Sequence, residues 1–413
     1  LAIDLHRSDP AEPFSRRSKE VDVKQSSGPI TPIEPNKPIE PNKPIRPIKV
    51  CLIIPTLDQG GAEKQLAMLA CGLDRDDFET SVVVLTRSGP LEEQLRAAGV
   101  DVHLVGKHAT ADPLAWIRLL RILKRIQPDI VHTWIFAANA YGRSAARWAK
   151  VPVVVGSERS VDPWKGTWQL TIDRYLAKRT QGISTNSPGV VDFYHSHGID
   201  RSNFTLIPNG IPPRDPKLEI SREEAFARLG IPLDRRLILS IGRLWQQKGY
   251  KDLIWSAEML RVLRHNVSYA ILGDGPERVR LEEYRDNVRA AGSVDLLGHR
   301  ADAMQILPHA DLLWNGSLYE GQSNVILEAM QAGVAVIATD IPGNRDLIEN
   351  EKTGILFQVG DVDRLMRVSN QLLDDTDRRN RLIQAARELV SREHSATTMI
   401  QRHEAWYRKL LQR

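Results

Sequence analysis

From residue 50 to the C-terminus, short apolar runs alternate with helix-length amphipathic segments, and they do so in two separate series. The first series has strand-like runs at 50–55 (VCLIIP), 81–85, 102–105, 130–132, 153–155 and 204–207, with helical patterns such as 62–73 and 116–126 between them. After a Pro-rich stretch at 207–216, the second has strand-like runs at 237–241, 268–272, 294–297, 312–314 and 334–338, with helical patterns at 250–262 and 325–332 among them. Strands separated by helices of ten to fifteen residues predict parallel, doubly wound α/β sheets. Two series predict two Rossmann-like domains, at 49–213 and 214–396. Ligands of such sheets bind beyond the carboxyl ends of the strands. Two facing sheets would place those ends around an interdomain cleft.

Residues 1–48 read differently. They are polar, and prolines recur every third residue from Pro29 to Pro47 within a Pro-Ile-Glu-Pro-Asn-Lys repeat. Polyproline II has three residues per turn, so the prolines would form one stripe on an extended rod. A disordered Pro-rich tail is expected, acting as a stiff spacer or as a ligand for a proline-binding domain. The chain opens at Leu1 and its first methionine is Met68, so either the start codon is non-standard or upstream sequence is missing.

The remaining 365 or so residues can bury two cores of ordinary size. Net charge is only +4, because 56 basic residues face 52 acidic ones. The two signs are mixed and form no long basic run, which argues against a nucleic-acid partner. The slight excess suits a protein that handles diphosphates or touches an anionic membrane. No run approaches the roughly 20 apolar residues of a membrane span, and the first thirty residues contain no secretory h-region. Cys51 lies in an apolar strand and Cys71 late in an amphipathic helix, so both read as core residues. A cytoplasmic setting fits.

Three motifs could carry chemistry. The first, 55–63 (PTLDQGGAE), follows a strand and opens a helix, so Gly60 and Gly61 would let backbone amides meet a phosphate. The turn would need glycine in any case. In the second, 240–249 (SIGRLWQQKG), Arg243 lies past a strand end and Lys248 where a helix begins. A cation opposes the dipole there. A diphosphate held between them would remove the conflict, with Arg243 as a fork and Lys248 as a point charge; the alternative is two solvated cations. The third, 320–328 (EGQSNVILE), has Glu320 in a loop and Glu328 about two turns into a helix. Gly321, Gln322, Ser323 and Asn324 lie between them and would present backbone N–H groups. Carboxylates suit sugar and ribose hydroxyls, and the amides suit phosphate or sugar oxygens. The alternative is a capped helix with a solvated Glu328.

Taken in order, GGAE, GRLWQQKG, GDGPER, LGHRADAMQILPHADL and EGQSNVILEAM resemble retaining glycosyltransferase family 4, of GT-B fold, over about residue 50 to the C-terminus. The resemblance implies that Arg243 and Lys248 clamp the diphosphate of a nucleotide-sugar donor. It implies that Glu328 holds the ribose, that Glu320 positions the transferred sugar, and that Gly60 and Gly61 complete the phosphate site from the other domain. The loop ending at Arg300 would contact the base, largely through backbone. Residues 397–413 would form a helix crossing back to the N-terminal domain. No metal or cofactor is implied, since the cations do that work, and no enzyme nucleophile is implied. The acceptor would be a glycan or a lipid-linked sugar.

One departure concerns His-x-His, which many relatives carry at the fourth strand; here the run is His132-Thr133-Trp134. His132 is expected either to serve the cleft or to pack at the strand end, facing away from Trp134, which would wall the acceptor or sugar pocket. The basic amphipathic segment 116–126 is expected to pack on the sheet, or else to lie on anionic lipid as a peripheral contact at the inner membrane. A GT-B protein that transfers nothing, such as a nucleotide-sugar epimerase or a degenerate binding module, is the rival reading. Arg243, Lys248, Glu320 and Glu328 argue against degeneration.

Overall fold

The computed structural model describes residues 46–412. The proline repeat therefore lies outside the described residues, apart from its last positions. Those positions are ordered: Arg46 donates to both carboxylate oxygens of Asp129 at 2.9 and 2.7 Å, and the first strand begins at Ile48.

Seven strands form the first sheet: β1 (Ile48–Thr56), β2 (Phe78–Arg87), β3 (Asp101–Leu104), β4 (Ile130–Trp134), β5 (Val153–Glu158), β6 (Gly182–Thr185) and β7 (Phe204–Leu206). Six form the second: β8 (Arg236–Ile241), β9 (Val267–Leu272), β10 (Val294–Leu296), β11 (Leu312–Asn315), β12 (Ala335–Thr339) and β13 (Ile355–Phe357). The orders are β3-β2-β1-β4-β5-β6-β7 and β10-β9-β8-β11-β12-β13. Every pairing is parallel. In both sheets the order reverses beside the first strand, β1 or β8, which is where a doubly wound sheet opens its crevice.

Alternation along β1 shows how the apolar runs serve two faces at once. Val50, Leu52 and Ile54 join one core with the helix Gly61–Gly72. Cys51 and Ile53 join another with the helices Pro113–Ile126 and Ile135–Trp148. Burial pushes the Cys51 thiol up to about 12, so it stays a neutral core group. The helix Pro113–Ile126 starts where Asp112 caps the Ala115 amide at 2.9 Å, with Pro113 in the first turn. It buries Ala115, Leu119 and Leu123 and turns Arg121, Lys124 and Arg125 outward. It therefore packs on the sheet and keeps a basic outer face.

The last helix, Ala396–Leu411, does not pack on the second sheet that precedes it. Its Met399, Trp406, Tyr407 and Leu410 belong to the core of the first sheet, and Arg408 pairs with Asp77 at 2.7 Å. The chain reaches it through a short parallel bridge between Ile211 and Ser395. The Ile211 amide donates to His394, and the Ala396 amide donates back to Ile211.

His132 and Trp134 need a correction. They are two residues apart on a strand, so they share a face, and their ring centroids lie 5.2 Å apart. Thr133 is the residue that points the other way. Both rings are fully buried beneath the last helix, so Trp134 does not wall an open pocket.

Candidate active site

The carboxyl ends of β1 and β8 carry the two glycine-containing turns. Gly60 precedes the helix Gly61–Gly72 with ordinary extended backbone and no side-chain cap, and the Glu63 carboxylate accepts from its own backbone amide in the first turn. A Cβ at Gly60 would collide with the Glu63 carboxylate. Burial raises the Glu63 carboxyl above its ordinary range, while the backbone bond it accepts, its bond to Thr56 and, least, the charge of Arg243 pull it back. Arg243 is exposed, lies 5.0 Å from the Trp245 ring centroid, and forms no ion pair among the described residues.

Lys248 ends a single 3₁₀ turn, Gln246–Lys248, and Gly249 then takes φ +61 before the helix Tyr250–Leu263. Glycine is required twice over here, by the left-handed backbone and because a Cβ would strike the Gly316 carbonyl. That close approach stitches the lysine turn to the loop after β11. Leu318 donates its amide to Gln247 at 2.7 Å, and the Gln247 side chain donates to Tyr319 at 2.7 Å. The result is an ion pair between Lys248 and Glu320, with Ser317 donating to the same carboxylate oxygen at 2.8 Å. The dipole conflict at Lys248, for which a diphosphate was the expected remedy, is relieved within the protein by Glu320.

The helix carrying the second glutamate runs Asn324–Ala332. Glu328 is its fifth residue, so it stands little more than one turn in, about 6 Å along the axis, not two. Burial raises its carboxyl above the ordinary range, and Lys64, 4.0 Å away, opposes that rise. No side chain caps this helix. The side chains of Gln322 and Asn324 are engaged with other residues. Asn209 donates its amide to Gln322 at 2.8 Å and its side chain to Asn324 at 2.7 Å. Gln65 also donates to Asn324, which in turn donates to the Gly61 carbonyl. Ser323 accepts from Asn315 at 3.3 Å. Gly321 has no room for a side chain against the Arg159 carbonyl and Asn186.

Two expected site residues are not available to a ligand through their side chains. His132 is completely buried, with Nδ1 bonded to Tyr407 at 2.7 Å and Nε2 to Ser184 at 3.1 Å. Burial drives its basicity far down, and in this structure it packs at the strand end, the second of the two expected placements. Arg300 spends its guanidinium on Asp302 at 2.9 and 2.7 Å and on the Arg228 carbonyl at 3.1 Å. Only its backbone is left for a base.

Sequence reasoning missed Lys64, Glu63 and the Asn209 turn. The first two sat unread inside GGAEK, and the Pro-Asn-Gly run at 208–210 is a turn signal that gave no hint of its cross-domain partners. Among the described residues no group of three or more metal-ligating side chains comes together.

Comparison with known proteins agrees with this architecture. Residues 59–215 match the model of glycosyltransferase family 4, and residues 221–389 that of glycosyl transferases group 1. An uncharacterized glycosyltransferase of Methanocaldococcus jannaschii is 32% identical over 359 residues, covering 81% of this chain and 91% of that one. A UDP-Gal:alpha-D-GlcNAc-diphosphoundecaprenol alpha-1,3-galactosyltransferase of Escherichia coli is 27% identical over 321 residues, covering 73% and 82%. Anabaena HepE, solved in complex with UDP and glucose, superposes with a TM-score of 0.78 at 21% identity, covering 88% and 100%. Two parallel sheets, a carboxyl-end cleft and these matches lead to one assignment: the chain belongs to the group 1 glycosyltransferases, family 4, and is a glycosyltransferase of GT-B fold.

Proposed function

We propose that the protein transfers a hexose-type sugar, with retention, from a UDP- or GDP-linked donor to a glycan or lipid-linked acceptor in the synthesis of cell-surface polysaccharide or glycolipid. The observation that carries this reading is the Lys248–Glu320 ion pair, which joins the turn bearing the unpaired Arg243 to the loop before an uncapped helix N-terminus. A diphosphate there would meet a free guanidinium fork, an ammonium and backbone amides, the donors needed to stabilise charge developing on a leaving nucleotide. Glu320, already bonded to Lys248, would hold a sugar hydroxyl, and Glu328 the ribose. Gly60 and Gly61 would approach from the opposite turn. The donor's own phosphate would take the acceptor proton at the front face, so no enzyme nucleophile and no metal take part. Relatives named for undecaprenyl-linked acceptors support the lipid-linked alternative. So does the outer face of Pro113–Ile126, where exposed Leu114 and Ile117 accompany three cations. The enzyme would then work at the cytoplasmic face of a membrane.

The test is a turnover screen of UDP-, GDP- and ADP-sugars with excess EDTA present, the product anomer being read by NMR. Charged hydrogen bonds are worth roughly 1.5–3 kcal/mol each, so Arg243→Ala or Lys248→Ala should slow turnover at least about 10-fold. Inversion of the anomer, an absolute need for added Mn²⁺ or Mg²⁺, or near-normal turnover in both variants would each refute the corresponding part of the reading.

A further inference from the structure

Arg159 is the residue of the cleft that the proposed roles leave unexplained. It follows β5 directly and is only 7% exposed. Its Nη2 donates to Asn209, and its guanidinium lies over the Trp134 ring, 4.8 Å from the centroid. Nη1 has no hydrogen-bond partner. Among the described residues no carboxylate lies within ion-pairing distance of it. Burial pulls the group down to about 9, with no acid opposing the shift. The nearby Glu158 is already committed to Lys165 and Arg143, at 3.5 Å from each.

A buried charge without a counter-charge costs several kcal/mol, and natural interiors rarely keep one without a use. Two further buried atoms beside it are also unpartnered. Trp134 Nε1 belongs to the ring under the guanidinium, and Asn186 Oδ1 belongs to the amide that donates to Asn209 at 3.2 Å. Three of the eight such atoms among the described residues thus gather at one place. That place adjoins the donor loop: the Arg159 carbonyl and Asn186 Oδ1 both press on Gly321, next to Glu320. The backbone at the end of β4 is strained as well. Ile135, between Trp134 and Phe136, holds φ +59, a region that β-branched residues avoid and that collects at functional sites.

We infer that Arg159 is a third anion-binding residue of the cleft, receiving a phosphate or carboxylate oxygen of a substrate on its free Nη1. The inference rests on the nucleotide-sugar reading of the cleft and extends it to the first sheet. The shared chemistry is an anionic oxygen able to accept a charge-assisted bond from guanidinium. Its source would be the donor diphosphate, the carboxylate of a transferred uronic sugar, or the phosphate of a prenyl-linked acceptor.

Calorimetric titration of the full chain separates these sources. The probes are UDP, GDP, UDP-glucose, UDP-glucuronate and farnesyl diphosphate, titrated into wild type, Arg159→Gln and Arg159→Lys. Affinity for at least one probe should fall 10-fold or more in the Gln variant and recover in part in the Lys variant, which keeps the charge but not the fork. Equal losses for the nucleotides and both UDP-sugars assign the donor diphosphate. A loss confined to UDP-glucuronate assigns a sugar carboxylate, and one confined to farnesyl diphosphate assigns the acceptor. The Gln variant should melt no lower than wild type, because it removes an uncompensated charge. Affinities within 2-fold of wild type for every probe in both variants would overturn the inference, whatever the melting temperature. If wild type bound none of the probes, the nucleotide-sugar reading itself would fall and take this inference with it.

Discussion

Glu320 and Glu328 are eight positions apart, yet they occupy unlike surroundings, and their substitution should show it. Glu328 faces Lys64 from a helix and is assigned to ribose, a part of the donor that does not react. Its contacts are then alike in ground and transition states, so Glu328→Gln should raise the donor KM and weaken free UDP or GDP. Glu320 is tied to Lys248 and is assigned to the sugar whose anomeric carbon changes, where a small misplacement is costly. Glu320→Gln should lower kcat and leave nucleotide affinity nearly unchanged. Reversed nucleotide affinities would mean the two roles are exchanged, and two silent variants would remove both. At this scale the motif residues were legible because glycines, cations and carboxylates stood at telling spacings. What stayed hidden was who holds whom. Lys248 and Glu320 are 72 positions apart, and no local pattern encodes such a pair. Arg159 was overlooked for the same reason, since an arginine after a strand looks like any surface cation until its burial is known.

Elements were legible where they were long and apolar. The strand expected at 153–155 is β5, and the helix expected at 250–262 is Tyr250–Leu263. Two strands escaped notice. β6 (GIST) is fully buried but too small and polar to look apolar, and β13 is only three residues long. Their burial comes from neighbouring strands and helices, which a single segment cannot reveal. The turn before Tyr250–Leu263 offers a direct check. Gly249→Ala must place a Cβ in left-handed backbone against the Gly316 carbonyl, at a cost of about 2 kcal/mol or more. The urea midpoint should drop, and turnover should drop beyond what lost folded protein explains, because Lys248 moves with the turn. An unchanged midpoint would show that the loop yields. The last helix carries a second check through His403. Burial holds its basicity down to about 3, against an ordinary 6.5. Below pH 6.5 the unfolded chain binds a proton that the folded chain refuses. Stability is therefore complete above pH 6.5 and falls as pH drops toward 3, by up to about 1.4 kcal/mol per unit for this one group. Between pH 6.5 and 4.5, His403→Gln should lose less melting temperature than wild type does. Equal slopes would mean that His403 is not the group responsible.

Across the whole molecule, one group of polar contacts between the two halves falls on segments that carry the motifs, while Ser187 and Asp346 form another away from them. Gln65, Asn209, Gln322 and Asn324 join the GGAE helix to the loop before the helix Asn324–Ala332, so the turn and the loop to which donor contacts are assigned are bonded to each other directly. Parallel runs in two series were enough to predict this architecture; the closing contacts were not legible, because side-chain amides have no periodic signature. The return of the helix Ala396–Leu411 to the first sheet also has a consequence for how the protein is made. The first half is translated through β7 by Leu206, but part of its core arrives roughly 190 residues later, about 10–40 s at ordinary elongation rates. Throughout that interval the nascent first half must wait with Phe78 and His132 short of Trp406, Tyr407 and Arg408, which pack on them. Chains arrested on the ribosome after residue 250, which puts β7 beyond an exit tunnel that holds about 30–40 residues, should be cut readily by protease within the first half. Supplying the peptide 394–413 in trans should protect them. Full resistance without the peptide would show that the first sheet closes its core unaided.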